Sequence, residues 1–304
     1  MLPETIVRAA ITAPPRDVQR RLRALAATAS VETLARAAAV REAMAAPLAP
    51  GSDVYITWLA RDEGDVRVAA ARDLRRAGLN PVPHLAARHL ASHAQLHDLL
   101  ARLDGEAGVT QVLLIGGDCD RPRGPFRSAL EVLEQGALER HGIRRVGLAA
   151  YPEGHPRIPD TVLERELAAK IAHLRAAGIL PHVVTQFCFA ARPILAWLGR
   201  FRAREGDVPV HVGLAGPAKI ATLLNFAATC GIGASLRALR RGTRLLMDAG
   251  PEAILHELVQ DERHADIARL HLFTFGGVPR TASWLGAVAG GAFSLRDDGF
   301  GFTV

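Results

Sequence analysis

The sequence contains almost no lysine. Of its 37 basic residues, all except Lys170 and Lys219 are arginine, and the formal net charge is +6. The arginines are scattered among acidic residues, and no aromatic residues interleave with a basic run, so the charge lacks the pattern of a nucleic-acid-binding surface. We therefore expect no nucleic acid partner. An anionic small molecule explains a mild positive charge equally well.

Cysteine and long apolar runs are also scarce. Cys119, Cys188 and Cys230 are far apart and show no CxxC spacing, which argues against a disulfide framework or a zinc site. They are typical of reduced thiols in the cytosol. No uncharged run approaches about 18 apolar residues, and the first residues lack the apolar core of a signal peptide. We expect a soluble, cytoplasmic protein with no membrane partner.

Short apolar runs alternate with longer amphipathic segments along the chain, a pattern typical of strands alternating with helices. Eight such strands, with crossovers of the right length, predict an α/β fold, a (β/α)8 TIM barrel made by residues 1–304 as a single domain. No GxGxxG follows the first strand, which disfavours an open nucleotide-binding sheet. The predicted strands are Thr5–Ala13, Asp53–Trp58, Pro81–Leu85, Gln111–Ile115, Arg145–Ala150, His182–Gln186, Val208–Leu214 and Ile267–Phe273.

The segments between these strands predict helices. An Ala/Arg-rich region, residues 16–46, is predicted to be helical with a break near Ser30, and residues 126–141 are predicted to form one helix. Residues 218–264 predict two or three helices, an enlarged helical connection between strands 7 and 8. Residues 279–288 predict the last helix, whereas residues 293–304 show no clear pattern.

Polar residues stand directly after two of the predicted strands. Tyr151, Glu153 and His155 follow the strand that ends at Ala150, and Gln186 ends the next strand. Parallel barrels hold their ligands at this edge. An aromatic hydroxyl, two titratable groups and an amide suit a planar heteroaromatic ligand better than a metal or a phosphate alone.

The same stretch resembles the methylenetetrahydrofolate reductase family in its motifs YPEGHP (151–156) and TQFCF (185–189). Shorter matches occur in the family's order at residues 83–85, 117–118 and 225–227, so the resemblance covers most of the chain. It implies FAD as cofactor, NAD(P)H as co-substrate and a folate substrate. The implied reaction interconverts 5,10-methylenetetrahydrofolate and 5-methyltetrahydrofolate, in the one-carbon metabolism that supplies methionine biosynthesis. A homo-oligomer is compatible with the sequence.

The resemblance also implies roles for individual residues. Asp118 is the expected catalytic residue, which stabilises the iminium cation formed when the methylene bridge opens. The expected cofactor-binding residues are Thr57, His84, Gly117, Asp118, Tyr151, His155 and Lys170. The expected substrate-binding residues are Gln186, Phe226, Phe273 and Arg280, of which Phe273 stands where relatives have Tyr and Arg280 is displaced from the usual position.

The residues alone leave simpler interpretations open. Asp118 fits a turn that accepts backbone N–H groups, and His84 fits a hydrogen-bonded histidine at a strand end. Phe226 fits the core-facing side of an amphipathic helix. Lys170 fits a surface lysine.

Two positions depart from the family pattern. Gly116 replaces the Arg that usually precedes the Gly-Asp pair, and Ile11 lies where a strand-1 Glu helps to protonate the folate nitrogen. General acid catalysis contributes about 10²–10⁴-fold, so the loss of this Glu puts the direction of the reaction in question, and a methyl-oxidising enzyme is one hypothesis. Two others are a pterin-binding methyltransferase-type barrel without redox activity and a non-catalytic folate- or flavin-binding subunit.

Three histidines recur at every fourth position: His89, His93 and His97. On one continuous helix they would share a face and could bind a metal. However, no carboxylate partner is apparent, and Ser92 is expected to begin the helix after His89. We therefore expect no metal site.

Overall fold

Eight parallel strands form a closed barrel in the computed structural model of the protein, which describes residues 14–60, 62, 64–229, 248–297 and 301–304. Each strand pairs with its neighbour in parallel register, and the last strand pairs with the first. The predicted (β/α)8 fold is confirmed. The barrel strands are β1 (Ser30–Leu34), β2 (Asp53–Thr57), β3 (Asn80–Ala86), β4 (Gln111–Ile115), β5 (Arg145–Ala150), β6 (Leu180–Thr185), β7 (Val210–Ala215) and β10 (Ile267–Phe273).

Helices surround the barrel and bury apolar residues at helical spacing. In the helix that follows β3, the buried residues Leu96, Leu99, Leu100 and Leu103 form one such face. None of the helices within the described ranges is long and apolar enough to cross a membrane. The helices are α1 (Pro15–Ala27), α2 (Ala37–Ala45), α3 (Gly64–Arg76), α4 (His93–Ala107), α5 (Ala129–Leu133), α6 (Ala137–Arg140), α7 (Asp160–Ala176), α8 (Ala191–Glu205), α9 (Ile220–Thr229), α10 (Glu252–Gln260) and α11 (Val278–Gly290).

The first barrel strand is not where the sequence predicted it. Residues 5–13 lie outside the described part of the chain, and the position between β2 and β10 is filled by β1. The predicted helical region 16–46 is therefore wrong across β1, although α1 and α2 flank the strand as helices. The strand escaped prediction because it is only five residues long and places Glu32 among its inward positions, which hides the apolar alternation.

Two smaller predictions also need correction. The single helix predicted for residues 126–141 is two short helices, α5 and α6, because Gly136 has a left-handed backbone with φ of 61° that interrupts the helix. The tail, for which no element was predicted, contributes two short antiparallel strands, β11 (Ser294–Leu295) and β12 (Phe302–Thr303).

The connection from β7 to β10 is enlarged, as predicted. In its described part, β8 (Ala218–Lys219) pairs with β9 (Asp248–Ala249), and both α9 and α10 lie within it. A 3-10 turn, Glu262–Asp266, leads into β10. Residues 230–247 lie outside the described ranges. The organisation of residues 1–304 as one domain stays a prediction.

The barrel interior is unusually rich in histidine. His84, His182, His211 and His271 are all buried on inward positions of β3, β6, β7 and β10, and the ring of Tyr55 on β2 lies 4.5 Å from that of His271. A small apolar layer fills the rest: Tyr55 packs with Val82, Leu113 and Val184. Filling by layers of side chains from alternate strands makes the interior a packed core.

Burial keeps three of these histidines neutral. It lowers the pKa of His84 to about 4, of His182 to about 3 and of His211 to about 2, because an imidazolium inside the barrel loses its hydration. Nε2 of His182 is 3.1 Å from the Tyr55 hydroxyl, so a neutral ring can still hydrogen-bond.

Candidate functional site

The two central sequence motifs lie side by side at the mouth of the barrel, the end where the strands have their carboxyl termini. β5 leads into the YPEGHP loop and β6 leads into TQFCF, and these two strands are paired along their length. The backbone N–H of Gln186 donates to the Ala150 carbonyl at 2.7 Å. Tyr151 and Gln186 therefore leave neighbouring strands at the same edge, as the sequence predicted.

The YPEGHP loop folds into a compact turn. Gly154 has a φ of +80°, and its N–H donates to the Tyr151 carbonyl at 3.0 Å. This turn brings the ring of His155 edge-on to that of Tyr151, with 5.1 Å between centroids. Partial burial, helped by the charge of Arg157, lowers the pKa of His155. The pair therefore offers neutral aromatic surface at neutral pH.

Asp118 follows β4 through two glycines and is held by a histidine. Its Oδ1 lies 2.6 Å from Nε2 of His89, whose side chain is only 3% exposed, whereas the Asp118 side chain is 89% exposed. The hydrogen bond from His89 lowers the pKa of Asp118. Gly117 has a φ of +96°, and open space surrounds the position where a Gly116 side chain would begin. The carboxylate thus stands ionised beside accessible backbone.

A second carboxylate lies deeper in the mouth, on β1. Oε1 of Glu32 is 3.3 Å from Nε2 of His271 and 3.5 Å from Nε2 of His84, and its Oε2 accepts from the Thr57 hydroxyl at 3.4 Å. Burial raises the pKa of Glu32, but the His271 hydrogen bond and the nearby imidazoles outweigh it, so the net pKa is lowered. All three contacts are longer than a typical hydrogen bond, so the carboxylate is only loosely held.

Glu32 changes the interpretation of the departure at Ile11. The first barrel strand does carry an acid, in a region whose sequence pattern predicts a helix. Two predicted cofactor contacts, Thr57 and His84, both face Glu32. A signal was present in the sequence: the pentapeptide SVETL, which has strand-forming residues between two Ala/Arg-rich helices.

Phenylalanines form an aromatic wall along the β6–β10 side of the mouth. Phe226 on α9 stacks on Phe275, with centroids 4.2 Å apart and planes inclined by 21°, and Phe226 is 38% exposed. Phe273 is half-buried and lies parallel to Phe275. Phe187 packs edge-on against Phe275. Phe226 is therefore no core residue, and sequence reasoning missed Phe187 and Phe275.

Of the remaining predicted residues, Gln186 adjoins the aromatic wall, whereas Lys170 and Arg280 lie on outer helices. Gln186 is half-buried, and its side-chain oxygen accepts from the Phe187 N–H at 3.1 Å, which leaves its amide N–H groups to donate elsewhere. Lys170 lies midway along α7, about 15 Å from the start of the helix, and burial lowers its pKa. Arg280 is exposed in the first turn of α11. The roles predicted for Lys170 and Arg280 stay predictions.

The three regularly spaced histidines do not share a face. His89 ends a 3-10 turn, and Ser92 caps α4 by accepting from the Gln95 N–H, as predicted. His93 packs on Phe126, and His97 contacts His141. Within the described ranges no three His, Cys, Asp or Glu side chains come together as a metal site.

A cavity of about 370 Å³ lies beside the mouth. It is lined by Trp58, Arg67, His89, Arg102 and Arg123, among others, and the Arg67 guanidinium stacks 3.5 Å from the Trp58 ring centroid. Neither Asp118 nor any YPEGHP residue lines it. The cavity therefore adjoins the site without being its centre.

The chemistry of the mouth fits a flavin. Open space at Gly116 and the left-handed Gly117 leave the backbone accessible to a flat ring, and Tyr151 and Gln186 supply aromatic and amide groups. Arg121 is exposed in the loop after β4, and a guanidinium is a type of group that binds phosphate. The same aromatic and amide groups suit a pterin.

Together the closed parallel barrel and the polar cluster at the carboxyl ends of its strands define a (β/α)8 barrel protein with an enzyme-like site. The family model of methylenetetrahydrofolate reductase matches residues 28–276. The chain belongs to this family, which implies a folate-related oxidoreductase role in one-carbon metabolism. The match begins two residues before β1, in agreement with Ser30–Leu34 as the first barrel strand.

Several solved structures are similar to this chain at low sequence identity. They include a family 18 chitinase from Crocus vernus (8% identity, TM-score 0.46, 86% of this chain and 96% of that chain). A dihydropteroate synthase from Thermus thermophilus matches at 16% identity (TM-score 0.44, 85% and 92%). A 3-dehydroquinate dehydratase from Geobacillus kaustophilus matches at 11% (TM-score 0.46, 86% and 90%). These similarities carry no argument about function.

Proposed function

We propose that the protein is a flavin-dependent oxidoreductase that interconverts 5,10-methylenetetrahydrofolate and 5-methyltetrahydrofolate with NAD(P)H, in the cytoplasm. The observation that carries this proposal is the pair of carboxylates at the mouth. Glu32 lies deep on β1 with histidine partners, and Asp118 stands at the rim with its own histidine. The reaction needs one group that exchanges a proton and another that stabilises a cation.

Glu32 is the proposed proton-exchanging residue. In the reducing direction, the carboxylic acid gives its proton to the folate nitrogen that is released as the methylene bridge opens, and the carboxylate remains. In the oxidising direction, the carboxylate takes that proton back as the bridge closes. The lowered pKa of Glu32 favours the carboxylate in the resting protein, which suits the oxidising direction.

Asp118 is the proposed cation-stabilising residue. Opening of the bridge leaves an iminium cation on the substrate, and a fixed negative charge at the rim stabilises it electrostatically. Gln186 donates its amide N–H groups to the acceptor edge of the pterin, and Phe226 stacks on a flat ring of a substrate with its exposed face. Each of these roles uses a group that the mouth presents to solvent.

Gly116, Gly117, Tyr151, His155 and Arg121 would hold the flavin. Bound FAD would supply the hydride chemistry, since no protein side chain transfers hydride. In this proposal, Thr57 and His84 act through their contacts with Glu32.

The visible absorbance spectrum of the purified protein tests the proposal. We expect flavin bands that NADH or NADPH bleaches anaerobically and that methylenetetrahydrofolate restores with formation of methyltetrahydrofolate. Asp118→Asn should retain the bands and their bleaching but slow the folate-dependent step. A protein that binds no flavin, or one bleached without any folate turnover, would contradict the proposal.

A second candidate is a pterin-binding methyltransferase-type barrel without redox activity. Gly116 favours it, because the Arg that relatives use beside the cofactor is replaced by open space. This candidate predicts a colourless protein that still binds methyltetrahydrofolate, which the same spectrum and a titration with the folate would reveal.

A further inference from the structure

His89 lies between the mouth of the barrel and the cavity beside it. Its ring is buried, its Nε2 meets Oδ1 of Asp118 at 2.6 Å, and it forms part of the lining of the neighbouring cavity. Asp118 itself is almost fully exposed. Without the His89 contact, an aspartate as exposed as this one would sample several rotamers.

The ring of His89 is fixed from more than one side. A side-chain carbon added at Gly117 would lie 3.0 Å from its Cδ2, so the Gly-Asp loop leaves no room for one beside the imidazole. The centroid of the Trp58 ring lies 6.3 Å from the centroid of the His89 ring. A hydrogen bond from a ring held in this way defines where the Asp118 carboxylate stands.

The hydrogen-bond partners of His89 show which of its ring nitrogens donates. Nδ1 of His89 is buried and has no hydrogen-bond partner among the described residues. The ionised carboxylate of Asp118 can only accept, so its 2.6 Å contact with His89 requires a donor on Nε2. The proton therefore resides on Nε2, where it points at Asp118. His89 therefore donates through Nε2, and the Asp118 carboxylate accepts.

We propose that His89 is the positioning residue of the site: as a hydrogen-bond donor through Nε2, it holds the ionised carboxylate of Asp118 in the place where the substrate cation forms. The inference rests on the proposed function of Asp118. It deepens that proposal because a carboxylate fixed in advance needs no reorganisation when the cation develops.

Three variants test this inference. His89→Leu removes the donor, His89→Gln retains an N–H at a similar distance from the backbone, and His93→Leu is the matched control, since His93 is exposed and packs on Phe126. The first readout is the pKa of the Asp118 carboxyl, followed by NMR of ¹³C-labelled aspartate and assigned with Asp118→Asn. This readout needs neither flavin nor turnover.

We expect the pKa of Asp118 to rise in His89→Leu and to stay low in His89→Gln and His93→Leu. With folate and NAD(P)H, kcat should fall about tenfold in His89→Leu, with little change in KM for NAD(P)H, and His89→Gln should recover most of it. Thermal unfolding of each variant verifies that the fold is retained.

Two outcomes would overturn the inference. An Asp118 pKa that is the same with and without the His89 donor would show that the hydrogen bond does not hold the carboxylate. A raised pKa with unchanged kcat would show that the positioning has no catalytic use. If the unmodified protein turns over no folate, the proposed function fails, and the NMR comparison still decides whether His89 holds Asp118.

Discussion

At the scale of single residues, the most consequential side chain is Glu32. It lies on an inward position of the barrel, where the alternating pattern of β1 would ordinarily place an apolar residue. A carboxylate in this place needs partners, and Thr57, His84 and His271 provide them. The three partners come from three other strands, β2, β3 and β10. The surroundings of Glu32 therefore form only when the barrel closes and do not depend on a local sequence motif.

Replacement of Glu32 by Gln should lower kcat by about 10²-fold in both directions of the proposed reaction, because the amide cannot exchange a proton at neutral pH. The volume is unchanged, so flavin binding and the thermal midpoint should remain close to those of the unmodified protein. Glu42→Gln, an exposed acid on α2, is the matched control. Steady-state rates of methylene reduction and methyl oxidation provide the measurement, and an unchanged rate in either direction would remove Glu32 from that direction.

At the scale of the elements, the loop after β4 depends on one glycine. Gly117 combines a left-handed φ of +96° with little space, because an added side-chain carbon would lie 3.0 Å from His89, whereas Gly78, after α3, has a φ of +78° but open space around it. Both positions disfavour an L side chain, but only the first also controls where Asp118 stands.

Gly117→Ala should therefore cost about 1–2 kcal/mol of folding stability, from backbone strain and displacement of the His89 ring, and should also weaken flavin or folate binding. Gly78→Ala should cost about 1 kcal/mol from strain alone and leave binding unchanged. Urea denaturation and ligand titration of the two variants would separate these effects. Equal ligand affinity in both variants would mean that the position of the His89 ring has no role in binding.

The sequence predicted elements well where periodicity and strand ends agree. The strands from β2 to β7 and β10 were placed within a few residues, and Asp118, Tyr151 and Gln186 were correctly assigned to strand ends. β1 was missed because its neighbours α1 and α2 have strong helical periodicity and its own inward side chains are polar. His89 was noticed only as part of a helical repeat, because the turn that aims it at Asp118 depends on contacts distant in sequence.

At the scale of the whole molecule, the histidine-rich interior makes stability depend on pH. The pKa of His84 falls to about 4, of His182 to about 3 and of His211 to about 2 in the folded protein, against an ordinary value of 6.5. Below pH 6.5 the unfolded chain binds protons at these residues and the folded protein does not. The contribution of these three histidines to folding stability is thus complete above pH 6.5 and is lost as the pH falls.

We expect the free energy of unfolding to decrease by up to about 1.4 kcal/mol per pH unit for each of these histidines between pH 6 and 4. His211→Gln should make the dependence shallower, whereas His93→Gln, at an exposed position, should not. Urea denaturation at several pH values measures the slope. A slope that His211→Gln leaves unchanged would mean that His211 is already protonated within the folded barrel.

The protein has three tryptophans, and their locations give it a built-in optical reporter. Trp197 and Trp284 are buried in outer helices, whereas half-buried Trp58 follows β2, next to Arg67 and His89. With Trp197→Phe and Trp284→Phe in place, the remaining emission would come from a single indole at the entrance to the barrel. Quenching of that emission would follow the arrival of a flavin or a folate in real time, without any label.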